Sequence, residues 1–125
     1  MQKIINTPSA PAPIGPYNQA VLAGGFLFVS GQIALDPVSG ELLKGDAAEE
    51  AELVMKNLGA ILEAAGLGFE NVVKTTIFLK DMNDFAAVNE VYGRHFTGNF
   101  PARETVQAAA LPKGVQVEIS VIAAK

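Results

Sequence analysis

The segment VQVEISVIA, residues 115–123, decides the fold because its side chains alternate in character. One set of alternate positions is wholly aliphatic: Val115, Val117, Ile119 and Val121. The other set is mixed: Gln116, Glu118, Ser120 and Ile122. A period of two predicts a β-strand with one face in a core and one face outside it. The mixed face is too apolar to lie comfortably in water, so we expect it to pack against other copies of the chain, with Glu118 in or near that interface.

Two helices precede this strand. The first runs from Asp46 to Ala65, where Asp46 caps the helix, Glu49 completes a capping box and Gly66 ends it. The second has an apolar stripe at helical spacing: Phe85, Val88, Tyr92 and Phe96.

Five further strands complete the pattern. Short extended runs flank Gly24-Gly25, which predicts a tight hairpin. The remaining strands are predicted at Ile4-Ile5, Val72 to Leu79 and Glu104 to Ala110. The order β-ββ-α-β-α-ββ predicts a single α+β domain over residues 1–125, with a mixed six-stranded sheet and two helices on one face.

The composition excludes several kinds of site. The chain has 125 residues, a formal net charge of −4, no cysteine and one histidine. Disulfides, thiolate nucleophiles and cysteine-ligated metals are therefore excluded, and one histidine cannot build a multi-histidine zinc site. No lysine or arginine cluster marks a nucleic-acid surface, so no nucleic-acid partner is expected. The N-terminus lacks a signal-peptide core and no apolar run approaches membrane-spanning length, so we expect a cytoplasmic protein with no membrane partner.

Arg103 and Glu118 are the strongest candidate site residues. Arg103, one of two arginines, follows Pro101 at the start of a predicted strand, and a turn at LPKG (111–114) leads into the strand that carries Glu118. A hairpin would bring the guanidinium and the carboxylate towards one site. Arginine's planar fork suits the carboxylate of a small acid substrate, whereas the alternative is an interface ion pair. Glu118 has two interpretations. It is either a general base whose pKa is raised by partial burial, or one half of an interface salt bridge, for which Arg103 is a candidate partner.

Three other positions are weaker candidates. Ser30-Gly31-Gln32 follows a predicted strand and has two interpretations. It is a ligand contact made by a hydroxyl and free backbone N–H groups, or it is only a turn. Tyr17 follows a proline-rich loop, and a tyrosine is more often a packing residue than a catalytic one. Asn89 lies off the apolar stripe of the second helix, where a solvated side chain is the simpler interpretation.

Separated motifs in one order give the chain a resemblance to a known family. They are IGPY (14–17), SGQI (30–33), EAAG (63–66), VKTT (73–76), NDF (83–85), Asn89, FPAR (100–103), LPKG (111–114) and VEI (117–119). Over essentially its whole length the chain resembles the Rid (reactive intermediate deaminase) family, specifically its RidA-type members. The resemblance implies a chorismate-mutase-like fold and a homotrimer with clefts between subunits. It also implies cofactor-free hydrolysis of 2-imino acids, formed from enamines such as 2-aminoacrylate, to 2-keto acids and ammonia.

The same resemblance implies roles for individual residues. Arg103 would clamp the substrate carboxylate, and Glu118 would position or activate water. Tyr17, Ser30 and Asn89 would orient substrate or water, with backbone contacts from Gly31 and Thr105. The family commonly has cysteine where this chain has Thr105, so a backbone contact would survive but any thiol chemistry would not. Two alternatives stay open: a non-catalytic regulatory trimer that binds small carboxylates, and an endoribonuclease or translation inhibitor.

Overall fold

The computed structural model describes residues 2–125. Its strands and helices follow the predicted order: β1 (Lys3–Ile5), β2 (Ala20–Ala23), β3 (Phe26–Gln32), α1 (Ala47–Ala64), β4 (Val72–Leu79), α2 (Phe85–Gly93), β5 (Ala102–Gln107) and β6 (Val117–Ala124). The predicted α+β class, with a mixed six-stranded sheet, is confirmed. Within residues 2–125, no helix has both the length and the apolar character needed to span a membrane.

The order of strands in the sheet differs from the predicted one. The order is β1-β2-β3-β6-β4-β5, and β4 and β5 are parallel. The expected hairpin of β5 and β6 is therefore wrong, because β4 lies between them. A parallel pair needs a crossover, and α2 supplies it between β4 and β5. The long connection from Gln107 to Val117 then lets β6, whose core-facing side chains are fully buried, enter the middle of the sheet.

Helix α1 forms where the sequence predicts it. The Asp46 carboxylate accepts a hydrogen bond from the Glu49 backbone N–H at 2.9 Å, and Glu49 Oε1 accepts one from the Asp46 N–H at 3.1 Å. Gly66, with φ of 75°, follows the last turn in the left-handed conformation that ends helices. Helix α2 is shorter than predicted: it ends at Gly93, and Phe96 packs on Tyr92 from the following loop, with ring centroids 4.9 Å apart.

The two faces of the sheet have different environments. The face under the helices is buried, and it includes the predicted aliphatic set of β6: Val117, Ile119 and Val121. The opposite face, called here the open face, exposes large apolar side chains from four strands: Ile4, Phe26, Phe28, Phe78 and Val106, of which Phe78 is only half-buried. On the same face Lys74 Nζ lies 3.2 Å from Glu104 Oε1. The predicted division between a core face and a mixed face is confirmed, while the packing of the open face against other copies stays a prediction.

Candidate active site

Arg103 projects from β5 on the helix side of the sheet. It pairs in register with Thr75, whose side chain is buried under α2. One guanidinium nitrogen donates to Asn89 Oδ1 at 2.7 Å, and the guanidinium carbon lies 5.1 Å from the centre of the Tyr92 ring and 5.7 Å from that of Phe85. Helical spacing brings these three side chains together around the guanidinium, since Phe85, Asn89 and Tyr92 lie on one side of α2. The guanidinium is thus oriented by one amide and two rings.

No carboxylate within residues 2–125 forms a salt bridge with Arg103. The other arginine, Arg94, is engaged, with its guanidinium 3.2 Å from Glu90 and 3.7 Å from Glu52. A cavity of about 450 Å³ lies against the Arg103 side chain, lined by Asn89, Tyr92, Gly93, Phe100, Pro101 and Arg103. A guanidinium that is fixed, faces a cavity and has no acid partner among the described residues is suited to bind the carboxylate of a ligand.

The free edge of β5 adds backbone donors beside Arg103. Ala108 donates its N–H to Leu79 O of β4 at 2.8 Å. Because alternate residues of a strand direct their N–H groups to the same side, those of Arg103 and Thr105 face away from β4. Since β5 is an edge strand, these N–H groups have no strand partner within residues 2–125. The Thr105 N–H therefore stands two residues from the guanidinium, on an edge open to a ligand or to a second copy.

The Thr105 hydroxyl is buried and has no hydrogen-bond partner among the described residues. An unsatisfied buried hydroxyl costs about 1 kcal/mol or more, so we expect Thr105→Val to raise the free energy of unfolding by about 1 kcal/mol. Thr75→Val is the matched control, because the Thr75 hydroxyl accepts a hydrogen bond from the Tyr92 phenol at 2.9 Å and its loss should lower the stability. Urea unfolding at one protein concentration measures both; a Thr105→Val variant less stable than the wild type would contradict the prediction.

Glu118 lies on the open face of the sheet, next to Gly31. A Cβ atom at Gly31 would stand 2.8 Å from Glu118 Oε2, so a larger residue there would force the Glu118 carboxylate to shift. A cavity of about 150 Å³ adjoins the side chain, with Ile14, Tyr17, Gly31, Leu35, Lys113 and Glu118 among its lining residues. Burial raises the pKa of the Glu118 carboxyl above its ordinary value. A carboxylate that holds its proton more tightly is a stronger base, as a proton-transfer role near neutral pH requires.

The hydrogen-bond donors of Ser30 are both engaged within the chain. Its hydroxyl donates to Asn18 O at 2.7 Å, and its N–H donates to Gln19 O at 2.9 Å. Both groups fasten β3 to the segment that follows Tyr17, and Ser30 is not among the residues that line the Glu118 cavity. Its geometry favours support of the Tyr17 segment over direct contact with a ligand.

The predicted site residues fall into two half-sites. The Arg103 half-site contains Arg103, Asn89 and Thr105; the Glu118 half-site contains Glu118, Gly31 and Tyr17. Arg103 pairs with Thr75 and Glu118 with Phe78, so with β4 between them their Cα atoms are roughly 14 Å apart, on opposite faces. The expectation that a hairpin brings the Arg103 guanidinium and the Glu118 carboxylate to one site within the chain is therefore wrong, and an interface salt bridge between two copies stays a prediction. Sequence reasoning also missed Tyr92 as a platform for the guanidinium, although its position three residues after Asn89 was a usable signal.

Comparison with known proteins places the chain in a family. The profile of the Endoribonuclease L-PSP family matches residues 7–125. The 2-iminobutanoate/2-iminopropanoate deaminase of Rattus norvegicus is 57% identical over 123 residues, covering 98% of this chain and 90% of that protein. YyfA of Yersinia pestis, a structure described as belonging to the conserved Rid protein family, is 44% identical with a TM-score of 0.97 and covers 100% of both chains. The structure of E. coli TdcF with bound serine is 45% identical with a TM-score of 0.93, covering 98% of each chain. Sequence and fold agree over the whole described length: this chain belongs to the Rid family, whose profile is described as Endoribonuclease L-PSP, and it has the RidA-type α+β fold.

Proposed function

We propose that this protein is a hydrolytic deaminase that converts 2-imino acids, such as 2-iminopropanoate and 2-iminobutanoate, to 2-keto acids and ammonia. The observation that carries the proposal is the Arg103 guanidinium, fixed by Asn89 and two rings and without an acid partner in the described chain. It provides a carboxylate site of the size that a small imino acid needs. Mammalian relatives at 54–57% identity are named for this activity, which supports the same assignment here.

The division into half-sites supports a subunit-shared site. Neither half is sufficient alone, since one binds an anion and the other offers a base. A second copy that covers the apolar open face and the free edge of β5 would bring its own Glu118 half-site to the Arg103 half-site of the first copy. A closed ring of three such contacts gives the homotrimer that the family resemblance implies. Each cleft would then take Arg103, Asn89 and Thr105 from one subunit and Tyr17, Gly31 and Glu118 from its neighbour.

The chemistry requires one water and one base. The substrate carboxylate would accept hydrogen bonds from the guanidinium N–H groups that Asn89 leaves free and from the Thr105 backbone N–H. Ionised Glu118 would take a proton from water as the water oxygen bonds to the imine carbon, and would return that proton to nitrogen. Glu118 would then take the hydroxyl proton of the resulting carbinolamine and pass it to nitrogen as the C–N bond breaks, so that ammonia leaves and the keto acid forms. Because imines hydrolyse unaided in water, this orientation and one proton relay suffice without a cofactor.

A subunit-complementation experiment tests the shared site directly. Arg103→Ala and Glu118→Gln subunits, each inactive alone, are mixed, dissociated and reassembled, and keto-acid release is followed with 2-iminopropanoate generated in situ. Random assembly places an intact Arg103 beside an intact Glu118 in about one quarter of the clefts, so about a quarter of wild-type activity should return. No recovery in reassembled trimers would exclude the shared cleft. Light scattering that shows a stable monomer would also exclude the shared cleft, without an activity assay.

Two alternatives lead to different results. The family profile's description as an endoribonuclease favours RNA cleavage, whereas the net charge of −4 weighs against a phosphate-binding surface. Degradation of labelled RNA by the wild type, abolished in Arg103→Ala, would favour the endoribonuclease function. The second alternative is a trimer that binds small carboxylates without turnover, which would show saturable keto-acid binding and no acceleration of imine hydrolysis. The cytoplasmic location and the absence of a nucleic-acid partner stay predictions.

A further inference from the structure

The wall of the Glu118 cavity is formed by a segment with little regular structure. Residues 7–16, called here the arm, lie between β1 and β2 and contain four prolines. Pro11, Ala12 and Ile14 of the arm line the cavity, together with Tyr17 immediately after it. Prolines have no N–H to donate, and the backbone bonds of this region include only two local ones, from Ala10 to Thr7 O at 3.4 Å and from Tyr17 to Gly15 O at 2.8 Å. Something other than secondary structure must hold the arm against the cavity.

The Gln19 side chain supplies that restraint. It is 1% exposed, and its amide nitrogen donates to three arm carbonyls: Thr7 at 3.0 Å, Ala10 at 3.2 Å and Pro11 at 2.8 Å. Its amide oxygen accepts from the Thr7 N–H at 2.6 Å. Three carbonyls on one side and an N–H on the other fix which end of the amide is nitrogen. One buried side chain thus satisfies four backbone groups that the proline-rich arm cannot pair by itself.

Gln19 also connects the arm to the glycine that makes room for Glu118. The backbone carbonyl of Gln19 accepts a hydrogen bond from the Ser30 N–H at 2.9 Å. The Ser30 hydroxyl donates to the backbone carbonyl of the adjacent Asn18 at 2.7 Å. Gly31 follows directly and lies against the Glu118 carboxylate. Gln19 therefore connects the arm, through its side-chain amide, to the strand against which the candidate base rests, through its backbone carbonyl.

We infer that Gln19 is a positioning residue of the candidate site: it holds the arm so that Ile14 and Tyr17 stay against the Glu118 cavity. This inference rests on the proposed deaminase function for its kinetic consequence, but not for its structural one. Nothing about Gln19 requires contact with the reacting atoms. Its effect passes through the position of the arm and of Tyr17.

Gln19→Glu is the sharpest test, because it changes one heavy atom: the amide nitrogen, a hydrogen-bond donor, becomes a carboxylate oxygen, which is an acceptor. An ionised carboxylate would face the carbonyls of Thr7, Ala10 and Pro11 and could donate to none of them, whereas the protonated acid restores one donor. We expect kcat/KM of the variant, relative to wild type, to be about tenfold lower near pH 8 and to recover as the pH falls towards about 6. Gln19 lines this cavity beside Tyr17, Lys113 and Glu118, so a new carboxylate there also acts on Glu118 directly, and the uncharged Gln19→Leu below separates that effect from movement of the arm. Gln107→Glu, at an exposed glutamine outside both half-sites, should give a flat ratio.

A second measurement does not depend on activity. The chain has no tryptophan and two tyrosines, so in a Tyr92→Phe background Tyr17 is the only strong fluorophore. Gln19→Leu, which keeps the core apolar if Gln19→Glu fails to fold, should increase acrylamide quenching of Tyr17 at temperatures well below unfolding. A residue that only stabilises the fold would leave Tyr17 accessibility and the rate per folded molecule unchanged. Unchanged quenching, or a flat pH ratio in folded Gln19→Glu, overturns the inference. If wild type itself hydrolyses no imine, the proposed function fails and the quenching result still decides the role of Gln19.

Discussion

Replacing Arg103 by alanine is expected to lower kcat/KM for 2-iminopropanoate about 100-fold, because about 3 kcal/mol of carboxylate binding and orientation is lost. The guanidinium is fixed by Asn89 at 2.7 Å and by the rings of Tyr92 and Phe85, so it is ready to receive a carboxylate without reorganising. Alanine removes the donors and leaves the cavity unchanged elsewhere. The assay follows keto-acid release from imine generated in situ, with the uncatalysed rate subtracted.

Two variants separate the causes of that loss. Arg103→Lys keeps the positive charge but not the planar fork, and should retain activity between those of the wild type and the alanine variant. Arg94→Ala is the matched control, since Arg94 is the other arginine and is engaged with Glu90 and Glu52 on the surface. It should leave kcat/KM within about twofold of wild type. An Arg103→Ala variant that kept most of its activity would remove the carboxylate clamp from the mechanism.

Local signals in the sequence predicted the elements well. The Asp46 capping box, the left-handed Gly66 and the turn at Gly24-Gly25, with φ of 60° and 82°, all depend on neighbours within a few residues, so the chain itself carries the information. The alternation over residues 115–123 likewise identified the buried face of β6, because period two needs no knowledge of which strand lies next to it. These features were predictable because each has a local physical cause.

Strand order was harder to predict, because it depends on contacts between distant segments. Chain proximity of β5 and β6 favoured a hairpin, but the helix between β4 and β5 favoured a parallel crossover unit. The parallel crossover unit is the one that forms. Burying the aliphatic face of β6 at the centre of the sheet stabilises the fold more than burying β5 would, because β5 carries the exposed Glu104 and Gln107.

The same error concealed how the site is divided. The side chains that the structure gathers around the guanidinium and around Glu118 were mostly named from the sequence, yet the face on which Arg103 lies depends on its register with Thr75 of β4. A shift of one residue would move Arg103 to the open face. Register between strands far apart in sequence is set by packing, so the separation of Arg103 from Glu118 could only be seen in the folded chain.

Replacing Glu118 by glutamine is expected to lower kcat at least about 100-fold with a much smaller change in KM, because the amide fills the same space but cannot accept a proton from water. The pH profile gives a second signature. Burial raises the pKa of Glu118, so wild-type activity should decline as the pH falls through that raised value, and the residual activity of Glu118→Gln should lack this decline. Glu63→Gln, on α1 and outside both half-sites, is the control and should retain the wild-type profile.

Stability should change in the opposite direction to activity. The folded Glu118 carboxyl keeps its proton to higher pH than the unfolded one, so it favours the folded state below the unfolded pKa, and this contribution is lost as the pH rises through the folded pKa. Glutamine never ionises and avoids that loss. The melting temperature of Glu118→Gln relative to wild type should therefore increase from acid towards neutral pH, by an amount that solvent screening at this half-buried site keeps small. A Glu118→Gln variant that kept most of its activity would exclude Glu118 as the base, and a variant less stable than wild type at neutral pH would show that the carboxylate has a structural partner.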